Sequence, residues 1–158
     1  MEVFKNHYKD LRKKRSHMSN DGLGDIYKKV ISEYNHCMDI EEYLVSFLLI
    51  QNLLEDRLYV LYKLMDEKKH KDDGMKFELS LEYYHRNIDL RTIVYELSDY
   101  GLFNEELKKH LLTSLKLRNR HIHFSFVDID SYDKELSEGY YILFREVDRI
   151  VQKFKTLI

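Results

Sequence analysis

Six consecutive positions, Arg118-Asn119-Arg120-His121-Ile122-His123, hold two arginines, two histidines and an asparagine. Arginine carries a permanent charge and a planar fork of donors that fits phosphate, and histidine titrates nearest to neutral pH. Together they suit a site that grips a phosphodiester and moves a proton beside it. Two plainer uses compete. Cations in a helix's last turn complement its dipole, and His121 with His123 would point the same way in an extended segment and offer two metal ligands. Zinc normally takes three or four protein ligands, and no cysteine pair or helical His-x-x-x-His accompanies these two. No metal is therefore expected.

Spacing limits how these side chains cooperate. Five residues along a straight helix turn through about 140° net, so Arg118 and His123 do not share a face. Asn119 and His123 are neighbours at i,i+4, as are Arg118 and His121 at i,i+3. A site using both Arg118 and His123 works where a helix end projects into a cleft or where two copies meet across a two-fold axis. The spacing thus predicts a homodimer.

The elements that must carry this cluster read as helices. Asn104 caps a helix with Glu105 and Glu106 in its first turn and Leu107, Leu111, Leu112 and Leu115 on its buried face, and the cluster stands at its C-terminal end. Before it, Asp89 caps a helix bearing Ile93, Val94 and Leu97 that Gly101 terminates. The longest signal, Tyr43, Leu44, Phe47, Leu48, Leu54, Leu58, Leu61, Tyr62 and Met65, predicts one helix over about residues 40–66, opened by a capping box of Asp39 and Glu42. Ile26, Val30, Ile31 and Tyr34 predict a shorter helix after the Asp21-Gly22-Leu23-Gly24 turn. Tyr140, Leu143, Phe144, Val147, Ile150, Val151 and Phe154 form a final core-facing stripe. The charged stretch 66–76, ending near Gly74, reads as a surface loop. The expected architecture is all-α, a single domain over 1–158 built as an up-and-down bundle of about five helices.

Composition agrees with this class. A chain of 158 residues with no proline and five glycines favours helices, and 44% hydrophobic with 34% charged residues lies outside the disordered regime. The single cysteine, Cys37, makes no internal disulfide and reads as a small buried apolar residue, implying no oxidising compartment. No apolar run approaches the roughly 20 residues of a membrane span and the N-terminus carries no signal-peptide pattern, so a cytoplasmic protein without membrane contact is expected. Net charge is −2, yet residues 1–16 carry +4 and the remainder −6. The basic N-terminal arm, residues 1–20, is a second candidate for phosphate contact. The thirteen tyrosines serve a helical core with wet tips better than they serve as base-stacking platforms.

Leu117-Arg118-Asn119-Arg120-His121-Ile122-His123 resembles the R-x4–6-H motif of HEPN domains. The resemblance extends upstream through Asp99-Tyr100-Gly101-Leu102-Phe103-Asn104-Glu105-Glu106-Leu107, and to the long helix whose Gln51, Asn52 and Glu55 interrupt an apolar face where family members often carry an acid. It covers roughly residues 40–155. It implies a HEPN-like bundle, usually dimeric, with two motifs facing each other in a cationic cleft, and metal-independent RNA cleavage in toxin–antitoxin or anti-phage defence. Carried over, Arg118 binds and stabilises the scissile phosphate, Asn119 orients it or His123, and His123 is the general acid/base. Arg120, His121 and Glu55 bind substrate beside them. RNA is the implied partner, with an antitoxin or other regulatory protein, and no cofactor is implied. Some antitoxin-paired relatives carry a modifiable tyrosine two residues after the motif histidine, where this chain has Ser125. A bundle of the same kind that binds RNA, a nucleotide or a protein without catalysis is the alternative.

Overall fold

The computed structural model describes residues 24–124 and 133–157, with the side chains of 119–124 outside the description. The basic arm, residues 1–20, also lies outside the described residues. Those described form six helices and no strand: α1 Asp25–Asp39, α2 Tyr43–Asp72, α3 Leu81–Asn87, α4 Leu90–Asp99, α5 Glu105–Phe124 and α6 Lys134–Lys155. The all-α bundle agrees with the sequence reading. None of these helices is long and apolar enough to cross a membrane.

The arrangement follows from α2. Phe47, Ile50, Leu54, Leu58, Leu61 and Met65 are buried along one stripe, while Leu53, Tyr59 and Tyr62 are buried beside it. A helix apolar over so much of its circumference needs neighbours on several sides, and α1, α3, α4 and α6 all pack on it. The main partner is α6, which buries Tyr140, Leu143, Phe144, Val147, Val151 and Phe154. At one end the two helices meet through small residues, the Ser46 and Ser137 hydroxyls lying 3.0 Å apart, and Phe47 meets Tyr140 edge-on. The Tyr140 hydroxyl then donates to the Ser114 carbonyl at 2.6 Å, tying α6 to α5. α5 otherwise leans on α4.

Charge enters this core chiefly as a pair, with Arg145 of α6 buried and two of its guanidinium nitrogens, Nε and Nη1, left without a hydrogen-bond partner. Arg57 of α2 and Asp148 of α6 are both buried and lie 3.4 Å apart, and Arg57 also meets the Tyr27 hydroxyl, which donates to Asp56. Burial pulls the Arg57 guanidinium below its ordinary value, opposed by the Asp148 carboxylate. Cys37 is buried, and desolvation helped by Glu33 raises its thiol above the ordinary range. It is an apolar filler, as its isolation in the sequence implies.

Four sequence expectations need correction. There are six described helices rather than about five, because Ser80 caps the short α3 by accepting from the Tyr83 amide at 3.2 Å. Seven residues are too few to show helical periodicity. The segment 66–76 is not a loop throughout, since α2 continues to Asp72. Its charges are helix formers paired at i,i+4, Lys63 with Glu67 and Lys68 with Asp72, and Asp66 also accepts from the Tyr84 hydroxyl at 2.7 Å. The capping box is absent because Asp39 ends α1, leaving Glu42 at the N-cap with no side-chain bond. Leu48, expected on the buried face, is 47% exposed.

The helix ends explain the short connections. Gly74 and Gly101 follow α2 and α4 at φ 77° and 95°, and the next amides bond back to His70 and Leu97 at 2.8 and 3.0 Å. α1 closes in the same six-to-one pattern, Glu42 amide to Cys37 carbonyl at 2.8 Å, but with Glu41 at φ 62° where a glycine would be unstrained. Glu41→Gly should therefore raise unfolding free energy by roughly 0.5–1 kcal/mol in urea titration, the relieved strain exceeding the added chain entropy. Asp89 accepts from the Thr92 amide at 2.7 Å, and that bond holds its carboxyl below the usual carboxylate range. Asp89→Ala should cost about 1 kcal/mol near neutral pH. A carboxyl with a depressed folded pKa contributes fully above its unfolded value and loses the contribution as pH falls through the folded one, so the variant's deficit should vanish in acid.

Candidate cationic cleft

The site grows from one face of α2. Gln51, Glu55 and Tyr59 succeed one another at i,i+4, so their side chains form a ladder. Gln51 Nε2 donates to Glu55 Oε1 at 3.2 Å, and Arg118 Nε lies 2.5 Å from the same oxygen. Arg118 reaches that carboxylate because its position continues the buried stripe of α5, seven residues after Leu111 and four after Ser114, both buried. Its side chain is 29% exposed and that of Glu55 18%, so the pair is only partly open to water.

The next rung, Tyr59, forms the floor of a cleft. Its hydroxyl donates to the Ile88 carbonyl at 3.0 Å, and the His85 ring stacks on it with centroids 3.8 Å apart. Burial raises the Tyr59 phenol above its ordinary value, reinforced by Glu55 and opposed by Arg118. It therefore stays a neutral donor. Burial likewise raises the Asp56 carboxyl, with the charge of His85 opposing. Asn87 Nδ2 donates to the Tyr83 carbonyl at 2.8 Å and Asp89 caps α4, so both ends of the α3–α4 corner are fixed.

The cleft has a volume of about 590 Å³, within the range of about 300–1,000 Å³ usual for small-ligand sites. Arg86, Arg91 and Arg118 set three positive charges on its wall against one acid, Asp89. The Asp89 carboxylate is already engaged with backbone amides. Glu55 against Arg118 and Glu82 against Arg86 offset two of these charges, so the wall suits an anion that can take a guanidinium over from its carboxylate. Among the described residues no three His, Cys, Asp or Glu side chains gather as a metal site.

Two of the six residues singled out from the sequence, Arg118 and Glu55, are thus brought together. The other four, Asn119, Arg120, His121 and His123, lie in the last two turns of α5, where the backbone is helical rather than extended, and their side chains are outside the described residues. Backbone position 123 falls in register with Lys116, which is exposed, whereas 121 falls in register with the buried Ser114. Sequence reasoning missed Tyr59, His85, Arg86 and Arg91. A signal was present: His85-Arg86-Asn87, followed by Arg91, repeats the residue types of the 118–123 cluster.

Compared with protein-family models, curated proteins and solved structures, the chain matches none.

The Glu55–Arg118 contact should be energetically coupled. In a double-mutant cycle of Glu55→Gln and Arg118→Met followed by urea unfolding, the coupling should reach about 1–2 kcal/mol, above the value of an exposed pair. Strict additivity would mean that the contact is idle.

Proposed function

We propose that this chain is a HEPN-like, metal-independent endoribonuclease acting as a homodimer in a toxin–antitoxin or defence setting. The observation that carries the reading is Arg118 held by Glu55 at the wall of a cationic cleft, the arginine of the R-x4-H motif meeting the acid expected on the long helix. A positioned guanidinium stabilises charge as it develops on a phosphate in flight. In the reaction, the RNA 2′-oxygen attacks the adjacent phosphorus and the bond to the 5′-oxygen breaks. A base takes the 2′-hydroxyl proton and an acid delivers one to the departing 5′-oxygen. The products are a 2′,3′-cyclic phosphate and a free 5′-hydroxyl.

Arg118 is assigned to the phosphate and His123 to proton transfer, with Asn119 orienting the phosphate or that histidine. Arg120 and His121 support binding. Because backbone position 123 follows the exposed register of α5 while Arg118 follows the buried one, the reading assigns His123 to a second copy's cleft. That asymmetry supports the dimer. The nucleophile comes from the RNA, so no serine, cysteine or metal is required, and DNA is inert.

The same ion pair also favours a second reading. A partly buried arginine neutralised by a carboxylate can be purely structural, and the module then binds RNA, a nucleotide or a protein without cutting. Incubation of purified protein with mixed RNA in excess EDTA separates the two. Cleavage should persist in EDTA and yield cyclic phosphate ends. His123→Ala and Arg118→Ala should each lower its rate by about 10²–10⁴, whereas His121→Ala should cost much less. Loss of cutting in EDTA, or full activity in His123→Ala, would refute the assignment. A folded wild-type protein that cuts no RNA leaves the binding module.

A further inference from the structure

We propose that the α3–α4 corner is a binding subsite for the RNA strand next to the scissile phosphate, with His85 as a base platform and Arg86 and Arg91 as phosphate contacts. The inference rests on the ribonuclease reading for the identity of the strand, and on the cleft itself for the placement of the subsite. Arg118, the phosphate-binding arginine of that reading, lines the same cavity as His85, Arg86 and Arg91. A chain whose phosphate sits at Arg118 must pass along this wall or turn away from it.

Two features favour passage. One face of the His85 ring is covered by Tyr59 at 3.8 Å, while the residue as a whole is exposed, so the ring is held by one stacking partner and accessible to another. A nucleobase added to it would complete a pile of three rings, and stacking of this kind accepts any base. The second feature is charge. Arg86 and Arg91 are exposed, and the Glu82 carboxylate 2.6 Å from Arg86 belongs to a pair of which more than two thirds is open to solvent. Such a pair is weak, so a phosphate can take over the guanidinium. Because the Glu55 carboxylate largely neutralises Arg118, holding a polyanion falls to these two arginines.

The probe is a fluorescent 2′-O-methyl oligoribonucleotide of eight residues, which cannot undergo 2′-oxygen attack, measured by anisotropy from low to moderate salt. Arg86→Ala and Arg91→Ala should each make the plot of log affinity against log salt shallower by about 0.7, the value of one single-strand phosphate contact. His85→Ala should weaken binding about five- to a hundredfold, and His85→Phe should restore most of it if the ring acts by stacking. All three positions are exposed, so thermal melts should stay close to wild type, with His85→Ala losing no more than its stack on Tyr59. Wild-type slope and affinity in every variant would overturn the subsite. So would an oligonucleotide that binds no more tightly than adenosine monophosphate, since the cleft would then take a free nucleotide. Cleavage is scored separately. RNA cut normally with unmoved binding defeats the subsite and spares the ribonuclease, whereas variant-sensitive binding without any cleavage defeats the ribonuclease and spares the subsite.

Discussion

The structure depends on one constraint, that α2 is apolar around more of its circumference than a single neighbour can cover. Its burial recruits α6 along one stripe, α1 and α4 beside it, and the short α3 over its later turns. α6 answers it with a stripe that runs to Phe154 and with first turns covered on every side, Leu136 to Arg145 being buried without a break. Most of the polar groups admitted are paired, the Arg145 guanidinium being an exception. Arg57 with Asp148, Tyr62 with Glu96 and Tyr84 with Asp66 each join α2 to a different helix. Burial raises the Tyr62 and Tyr84 phenols well above their ordinary value, helped by those carboxylates, so both remain donors.

The cleft is a product of the same constraint. α5 packs on α4 rather than closely on α2, and the gap between them is spanned by the Glu55–Arg118 contact. A leucine at position 118 would extend the α5 stripe and leave Glu55 without its cation. With arginine there, the carboxylate fixes a guanidinium at the cavity wall, and Tyr59, one turn along, supplies a floor on which His85 rests. The arrangement has a consequence for chemistry. An arginine matched by a carboxylate is well oriented but partly neutralised, so strength in holding a polyanion must come from other cations.

Much of the fold was legible because its signals are local. Asp89, Asn104 and Gly101 stand at helix ends as their types and spacing indicate, and the leucines of α5 and the stripe of α6 are buried nearly as read. Glu55 was visible as a polar break in an apolar helix. Charge runs misled, since Asp66–Asp72 carries residues that loops and helices both accept, and only i,i+4 pairing distinguishes them. The corner at 85–91 shows its residue types in the sequence, but not its place beside Arg118. It lies about thirty residues from Arg118 in sequence and meets it through the packing of α3 on α2 and of α4 on α5, which no local periodicity encodes.

The proposed ribonuclease reading has Arg118 of one chain work with the histidine of another, since positions 118 and 123 fall on different faces of the α5 backbone. Subunit complementation tests it most directly. Arg118→Ala and His123→Ala chains, each inactive alone, are co-expressed with different tags and the mixed dimer is isolated. It holds one composite site with both residues intact and one with neither, so the account predicts recovery of about half the wild-type rate per dimer. A mixed dimer as inactive as its parents, beside an active wild type, would contradict it.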